Sequence, residues 1–193
     1  GGAIDVNGKG TCLTTSSCLL NTNRNSGLSA EKMEKYLKSY LGIKKIVWLD
    51  GIIKGDDTDG HVDNLARFVN PSTIVYISEK DESNENYLAL KGIEETLKNT
   101  RDLDGKPFVV IPLPMPRAIK DNNFFLPASY ANFYIGNNAV LVPAFNDSND
   151  VIAQRTLKKC FPQKKIVPID SRVLIKGQGG IHCITQQQPM HSD

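Results

Sequence analysis

Ala3-Ile4-Asp5-Val6-Asn7-Gly8-Lys9-Gly10-Thr11-Cys12-Leu13-Thr14-Thr15 reads as a β-hairpin. Residues 3–6 alternate apolar with polar, Asn7-Gly8 supplies the turn, and residues 11–15 return as a β-rich segment. A helix follows, with Ser29 as N-cap and Leu28 and Met33 as a hydrophobic staple. Met33, Tyr36, Leu37, Tyr40 and Leu41 share one face of it, and Gly42 ends it. Residues 43–49 are apolar and β-branched, so the order is strand, strand, helix, strand.

The same order returns twice. Residues 65–69 turn at Asn70-Pro71 into 73–77, a helix carries Leu90, Ile93 and Leu97, and 108–113 close the unit. Residues 131–135 turn at Asn137-Asn138 into 139–143, Ala153, Thr156, Leu157 and Cys160 form a helix face, and 165–169 are the closing strand. The turns recur roughly every 65 residues. A single unit of this kind leaves apolar surface on its sheet and helix uncovered, so several should pack together around an axis, with their connections gathered at one end. A plain three-layer α/β domain with coincidental spacing is the alternative.

The composition narrows the function classes. With 40% hydrophobic residues and a net charge of +2 scattered along 193 residues, the chain can bury a real core and carries no basic stripe for nucleic acid. No apolar run approaches the roughly 20 residues that span a bilayer, so no membrane partner is expected. Four cysteines do not make a disulfide scaffold, and reduced thiols in a cytoplasmic protein are the expectation. Cys12, Cys18 and Cys160 sit in apolar surroundings and read as structural. The chain opens at Gly1-Gly2-Ala3 without an initiating Met, and the expectation is that the true N-terminus lies elsewhere.

Two of the three histidines stand in glycine-rich polar stretches, residues 55–64 (GDDTDGHVDN) and 177–183 (GQGGIHC). Each follows an apolar segment, 46–49 or 173–175, and reads as a loop at the end of a strand. If the loops meet, Cys183 gains an imidazole in His61, which can take a proton and return it, and a carboxylate in Asp63. Asp63 projects to the side of His61 if the local chain is extended, which suits a cationic substrate. His182, beside Cys183, points the opposite way if that segment is a strand and reads as packed or exposed. Asp56 and Asp57 belong to a charge run of the sort that is usually solvated. A calcium loop would need an acid at Gly55 and a glutamate at Ala66 and fails; a zinc site from His61, Asp63, His182 and Cys183 lacks a close-spaced ligand pair.

Together, GDDTDGHVDN at 55–64 and GGIHCITQQQP at 179–189 make the chain similar to agmatine deiminases, with support from residues 21–25 and 128–135. The resemblance covers essentially the whole chain and places it in the guanidine-modifying pentein superfamily. It implies an α/β fold, a β/α propeller of five ββαβ units with pseudo-fivefold symmetry, of which about three units and the C-terminal strand are present. Residues 1–193 are then the C-terminal part of a single catalytic domain, with roughly 130 residues expected before Gly1. The family's Glu just before Gly1-Gly2, and an Asp farther upstream, fall outside this chain, which on that reading is inactive alone.

The same resemblance implies hydrolysis of agmatine to N-carbamoylputrescine and ammonia through a thiouronium on Cys183, with His61 passing protons and Asp63 binding the guanidinium. Asp57, Asp63 and Gly180 are the substrate-binding set it implies; no metal and no cofactor are expected. The implied partners are agmatine and the N-terminal half of the same protein, with a homodimer left open. A bacterial-type peptidylarginine deiminase, or an inactive fragment or binding remnant, are the competing readings.

Overall fold

The computed structural model describes residues 1–188, so Pro189 of the second motif lies outside the described residues. Asn7 opens the first hairpin by accepting from the amides of Lys9 and Thr11, both at 2.9 Å, which closes the turn between β1 (Ile4–Val6) and β2 (Thr11–Thr15). Two short helical turns, α1 (Ser16–Leu19) and α2 (Thr22–Asn25), lead into α3 (Ala30–Leu41). Ser29 caps α3 by accepting from the Lys32 amide at 3.3 Å, and Gly42 ends it in the left-handed region, φ 63°. The chain then returns as β3 (Lys45–Leu49).

β2 pairs antiparallel with β1 and parallel with β3, so the unit is a three-stranded sheet with one helical crossover. β4 (Ala66–Asn70), β5 (Thr73–Ser78), α4 (Tyr87–Asn99) and β6 (Val109–Pro114) repeat that topology. A small hairpin of β7 (Lys120–Asp121) and β8 (Phe124–Phe125) is inserted. Then β9 (Tyr134–Ile135), β10 (Ala139–Ala144), α5 (Asn149–Cys160) and β11 (Lys165–Asp170) repeat the unit a third time. The fold is mixed α/β, built from three small sheets of like topology.

The middle strand of each sheet supplies the core, with Leu13, Ile74, Ile77, Val140 and Val142 fully buried. Leu90, Ile93 and Leu97 of α4, and Ala153 and Leu157 of α5, are buried as the periodicity requires. In α3 only Met33 and Leu37 are buried; Tyr36, Tyr40 and Leu41 of the same predicted face stay exposed. Asp5 on β1 and Arg67 on β4 lock two units together: Arg67 Nε donates to Asp5 Oδ1 at 2.8 Å, and the Phe68 amide donates to Asp5 Oδ2 at 2.6 Å. Arg67 reaches the third unit through Nη1, which donates to the Phe133 carbonyl at 3.0 Å, with its guanidinium over the Phe133 ring.

Residues 173–175 are not the strand their apolar character predicts. Leu174–Gly177 form a 3-10 turn, opened by the Ile175 amide donating to the Ser171 carbonyl at 3.0 Å. Ile175 is fully buried while Val173 is exposed, and β11 offers this stretch no ladder partner, so one anchored side chain and a local turn decide the backbone. Among the described residues no helix is long and apolar enough to cross a membrane.

Candidate active site

The first polar loop is organised from within. Asp56 accepts from the Thr58 amide at 2.8 Å and from the Thr58 hydroxyl, which in turn accepts from the His61 amide at 3.2 Å. Arg24 braces the outside, donating to Asp59 Oδ2 at 3.0 Å and to the Thr58 carbonyl at 2.9 Å. His61 is thus delivered to the start of a 3-10 turn, Val62–Asn64, that carries Asp63 inward until it is fully buried. The local chain is helical rather than extended, yet His61 and Asp63 still converge. A Cβ on Gly2 would lie 2.6 Å from both His61 Nδ1 and Asp63 Oδ2, a space only glycine leaves free.

The second loop ends in another 3-10 turn, His182–Ile184. In that geometry successive side chains diverge by about 120° rather than alternate, so His182 and Cys183 both reach Asp63. His182 is therefore not a side chain pointing away: its Nδ1 lies 2.8 Å from Asp63 Oδ2. Cys183 Sγ lies 3.6 Å from the same oxygen. The turn is anchored from the third unit by Asn132, whose Oδ1 accepts from the His182 amide at 2.9 Å and whose Nδ2 is 3.3 Å from Cys183 Sγ. Asn132 Nδ2 also donates to Asn64 Oδ1 at 2.9 Å, tying both loops to one side chain.

His61, Cys183, His182, Thr58, Gln178 and Gly2 line one cavity of about 230 Å³. Crowding around the sulfur, then the Asp63 carboxylate, push the Cys183 thiol above its ordinary value, against a lowering by the Asn132 side chain. Burial holds His61 below the usual imidazole value, with Asp63 opposing. Asp63 Oδ1 and His61 Nε2 are buried without a hydrogen-bond partner among the described residues, so an acceptor and a ring nitrogen are left for further hydrogen bonding.

Asp57 is exposed and lines an adjoining cavity, which shares Gln178 with the first. Gly180 is buried behind Asn132, whose Cγ a Cβ there would approach to 2.8 Å. Cys12 and Cys18 are buried and Cys160 is half-buried; burial pushes the Cys12 thiol up to about 12. Among the described residues no three His, Cys, Asp or Glu side chains are grouped to hold a metal ion.

The model of the Porphyromonas-type peptidyl-arginine deiminase family matches residues 1–189. The chain belongs to that family. A curated relative from Legionella pneumophila is 43% identical over 190 residues, which cover 98% of this chain and 55% of the relative. The agmatine deiminase of Pseudomonas putida is 38% identical over 207 residues, covering 98% of this chain and 56% of its own. The structure of a cysteine-to-serine variant of the C. jejuni agmatine deiminase with substrate bound is 44% identical, with a TM-score of 0.89, over 94% of this chain and 53% of that one. The chain spans about half the length of the curated relatives it matches.

Within this member of the deiminase family, the sequence reading missed Asn132 and misplaced His182. Asn132 stands in the stretch 128–135 that carried part of the resemblance, but an asparagine among Tyr130, Ala131 and Phe133 signals no chemistry by itself. His182 had a signal in standing directly beside Cys183; a strand would turn it away, whereas the 3-10 turn does not.

Proposed function

We propose that the protein carrying this chain is an agmatine deiminase, hydrolysing agmatine to N-carbamoylputrescine and ammonia through a covalent intermediate on Cys183. The observation that carries the reading is that the Cys183 thiol and the His61 imidazole line one cavity, with the buried Asp63 carboxylate 3.6 Å from the sulfur and one of its oxygens without a hydrogen-bond partner among the described residues. The P. putida and C. jejuni relatives, both agmatine deiminases, support the choice of substrate.

A guanidinium is planar and permanently charged, and offers parallel N–H donors that match a carboxylate edge. In this reading it binds at Asp63 Oδ1 with its carbon facing Cys183 Sγ. The substrate's charge offsets that of Asp63, so the thiol, held protonated in the free protein, gives up its proton more readily once the cation is bound. His61, kept neutral at pH 7 by burial, takes the thiol proton as the C–S bond forms. It returns that proton to the departing nitrogen, and ammonia leaves as the C–N bond breaks. Water, deprotonated by His61, then adds to the thiouronium carbon; the C–S bond breaks and the thiol regains its proton. Asp57, across Gln178, faces the distal amine, and Gly180 contributes by letting its turn press against Asn132.

The three like units are, in the same reading, part of one catalytic β/α propeller with pseudo-fivefold symmetry. Its remaining units and guanidinium-binding acids come from other parts of the protein, consistent with the half-length match to relatives. The setting is cytoplasmic, in keeping with four unpaired cysteines. Assay of the full-length protein should give N-carbamoylputrescine and ammonia from agmatine and no citrulline in an arginine peptide. Citrulline without agmatine turnover would favour the peptidylarginine reading, and turnover surviving in Cys183→Ser would rule out the covalent route.

A further inference from the structure

We infer that His182 is a positioning residue for Asp63: it holds one carboxylate oxygen so that the other is presented to the cation bound beside Cys183. The inference rests on the proposed role of Asp63 toward a guanidinium. Asp63 is fully buried, and its two oxygens are treated differently. Oδ2 lies 2.8 Å from His182 Nδ1, whereas Oδ1 is buried and has no hydrogen-bond partner among the described residues. A carboxylate free to turn about its last torsion would present either oxygen, and a buried one without a donor is costly to keep ionised. An imidazole N–H on Oδ2 removes both problems.

His182 is itself held in place by the same Asn132 contacts that anchor its turn. Its amide donates to both the backbone carbonyl of Asn132, at 3.2 Å, and Asn132 Oδ1, at 2.9 Å. Its ring is mostly buried, with 13% of the side chain exposed. Because Cys183 is the next residue in the same 3-10 turn, the contact that orients Asp63 also sets the separation of carboxylate and sulfur, 3.6 Å. His182 does not touch the reacting atoms in this arrangement; it acts through Asp63.

Two measurements on the full-length protein test this. In a Cys183→Ser background, agmatine affinity by titration calorimetry should fall about 10- to 100-fold in His182→Phe, which keeps ring volume without a donor, and likewise in His182→Ala. His182→Asn, whose side-chain amide can replace the ring donor, should recover most of the affinity. The second measurement needs no substrate: the pH profile of Cys183 alkylation by iodoacetamide, read by peptide mass spectrometry. Asp63 and Asn132 face the sulfur, and His61 lines the same cavity in every variant. Losing the donor on Asp63 should move the midpoint up by about half a pH unit or more, and His182→Asn should bring it back. Where Phe does not fold, Ala decides. If the parent Cys183→Ser protein binds no agmatine, the proposed substrate fails while the alkylation profile still decides the role of His182. An unchanged profile in both His182→Phe and His182→Ala overturns the inference, as does unchanged agmatine affinity.

Discussion

Replacing Asn132 by alanine should weaken the protein and silence its thiol together, because one amide serves three neighbours. Asn132 is 1% exposed; its Nδ2 donates to Asn64 Oδ1 and approaches Cys183 Sγ, and its Oδ1 accepts from the His182 amide. The His182 amide retains the Asn132 backbone carbonyl at 3.2 Å, so its loss is partial. Asn64 Oδ1 has no other donor among the described residues, and Asn64 is 1% exposed, so its full desolvation cost appears, about 1–3 kcal/mol. Adding the small void left by the amide, the expected loss is about 2–4 kcal/mol. The Asn132 side chain also lowers the Cys183 pKa, so removing it raises the thiol further. A shift of about half to one unit would slow alkylation at neutral pH some three- to tenfold. Urea unfolding gives the first quantity and the pH profile of Cys183 alkylation the second. Asn132→Asp separates them, since it keeps the acceptor for His182 but sets a second carboxylate against the sulfur, and should raise the thiol more than alanine does. An Asn132→Ala protein within about 0.5 kcal/mol of the parent, with an unmoved alkylation profile, would refute the bridging role.

Other expectations are independent of Asn132. Asp63 is the leading charge that raises the Cys183 thiol, so the thiolate fraction is low below the raised value and grows only as pH passes it; Asp63→Asn should lower the alkylation midpoint, and no change would contradict the proximity of the two groups. Breaking the buried Asp5–Arg67 pair by Asp5→Ala should cost about 3–5 kcal/mol in urea unfolding, while Asp5→Leu with Arg67→Met should recover much of it; equal losses in single and double variants would show that the charge is not the issue. Dialysis against a strong chelator should leave agmatine turnover intact, and loss restored by zinc alone would replace the thiol mechanism with a metal one.

The three-unit order was legible because its signals are local. Asn7, Asn70 and Asn137 stand at hairpin turns; of the β-rich middle strands that follow them, β2 and β5 are buried on both faces, while β10 is fully buried mainly on one. What the letters could not give depends on neighbours. The pattern in α3 says which side can be buried, but whether anything covers Tyr36 and Tyr40 is decided elsewhere, and in these residues nothing does. Residues 131–133 look like strand yet are taken up by the site, leaving only Tyr134–Ile135 paired, because Asn132 spends its polar groups on His182 and Asn64. The β7–β8 hairpin, two residues per strand, is too short for periodicity to register. For the site, Cys183, His61 and Asp63 were legible as candidates for chemistry; the fold brings His61 and Cys183 to one cavity and Asp63 to within 3.6 Å of the sulfur. The 3-10 turns that present them were not, since such a turn has no sequence period of its own.

The contact between Asp63 and Cys183 spans 120 residues of chain, and that between Asp63 and His182 spans 119. A ribosome adding about 5–20 residues per second would need roughly 6–24 s to make the intervening segment. Throughout that interval Asp63 has neither of those two contacts, and once Cys183 is made its thiol keeps ordinary solution reactivity until the loops dock. Docking therefore changes the thiol late, replacing its solution surroundings by the buried Asp63 carboxylate that holds it above its ordinary value.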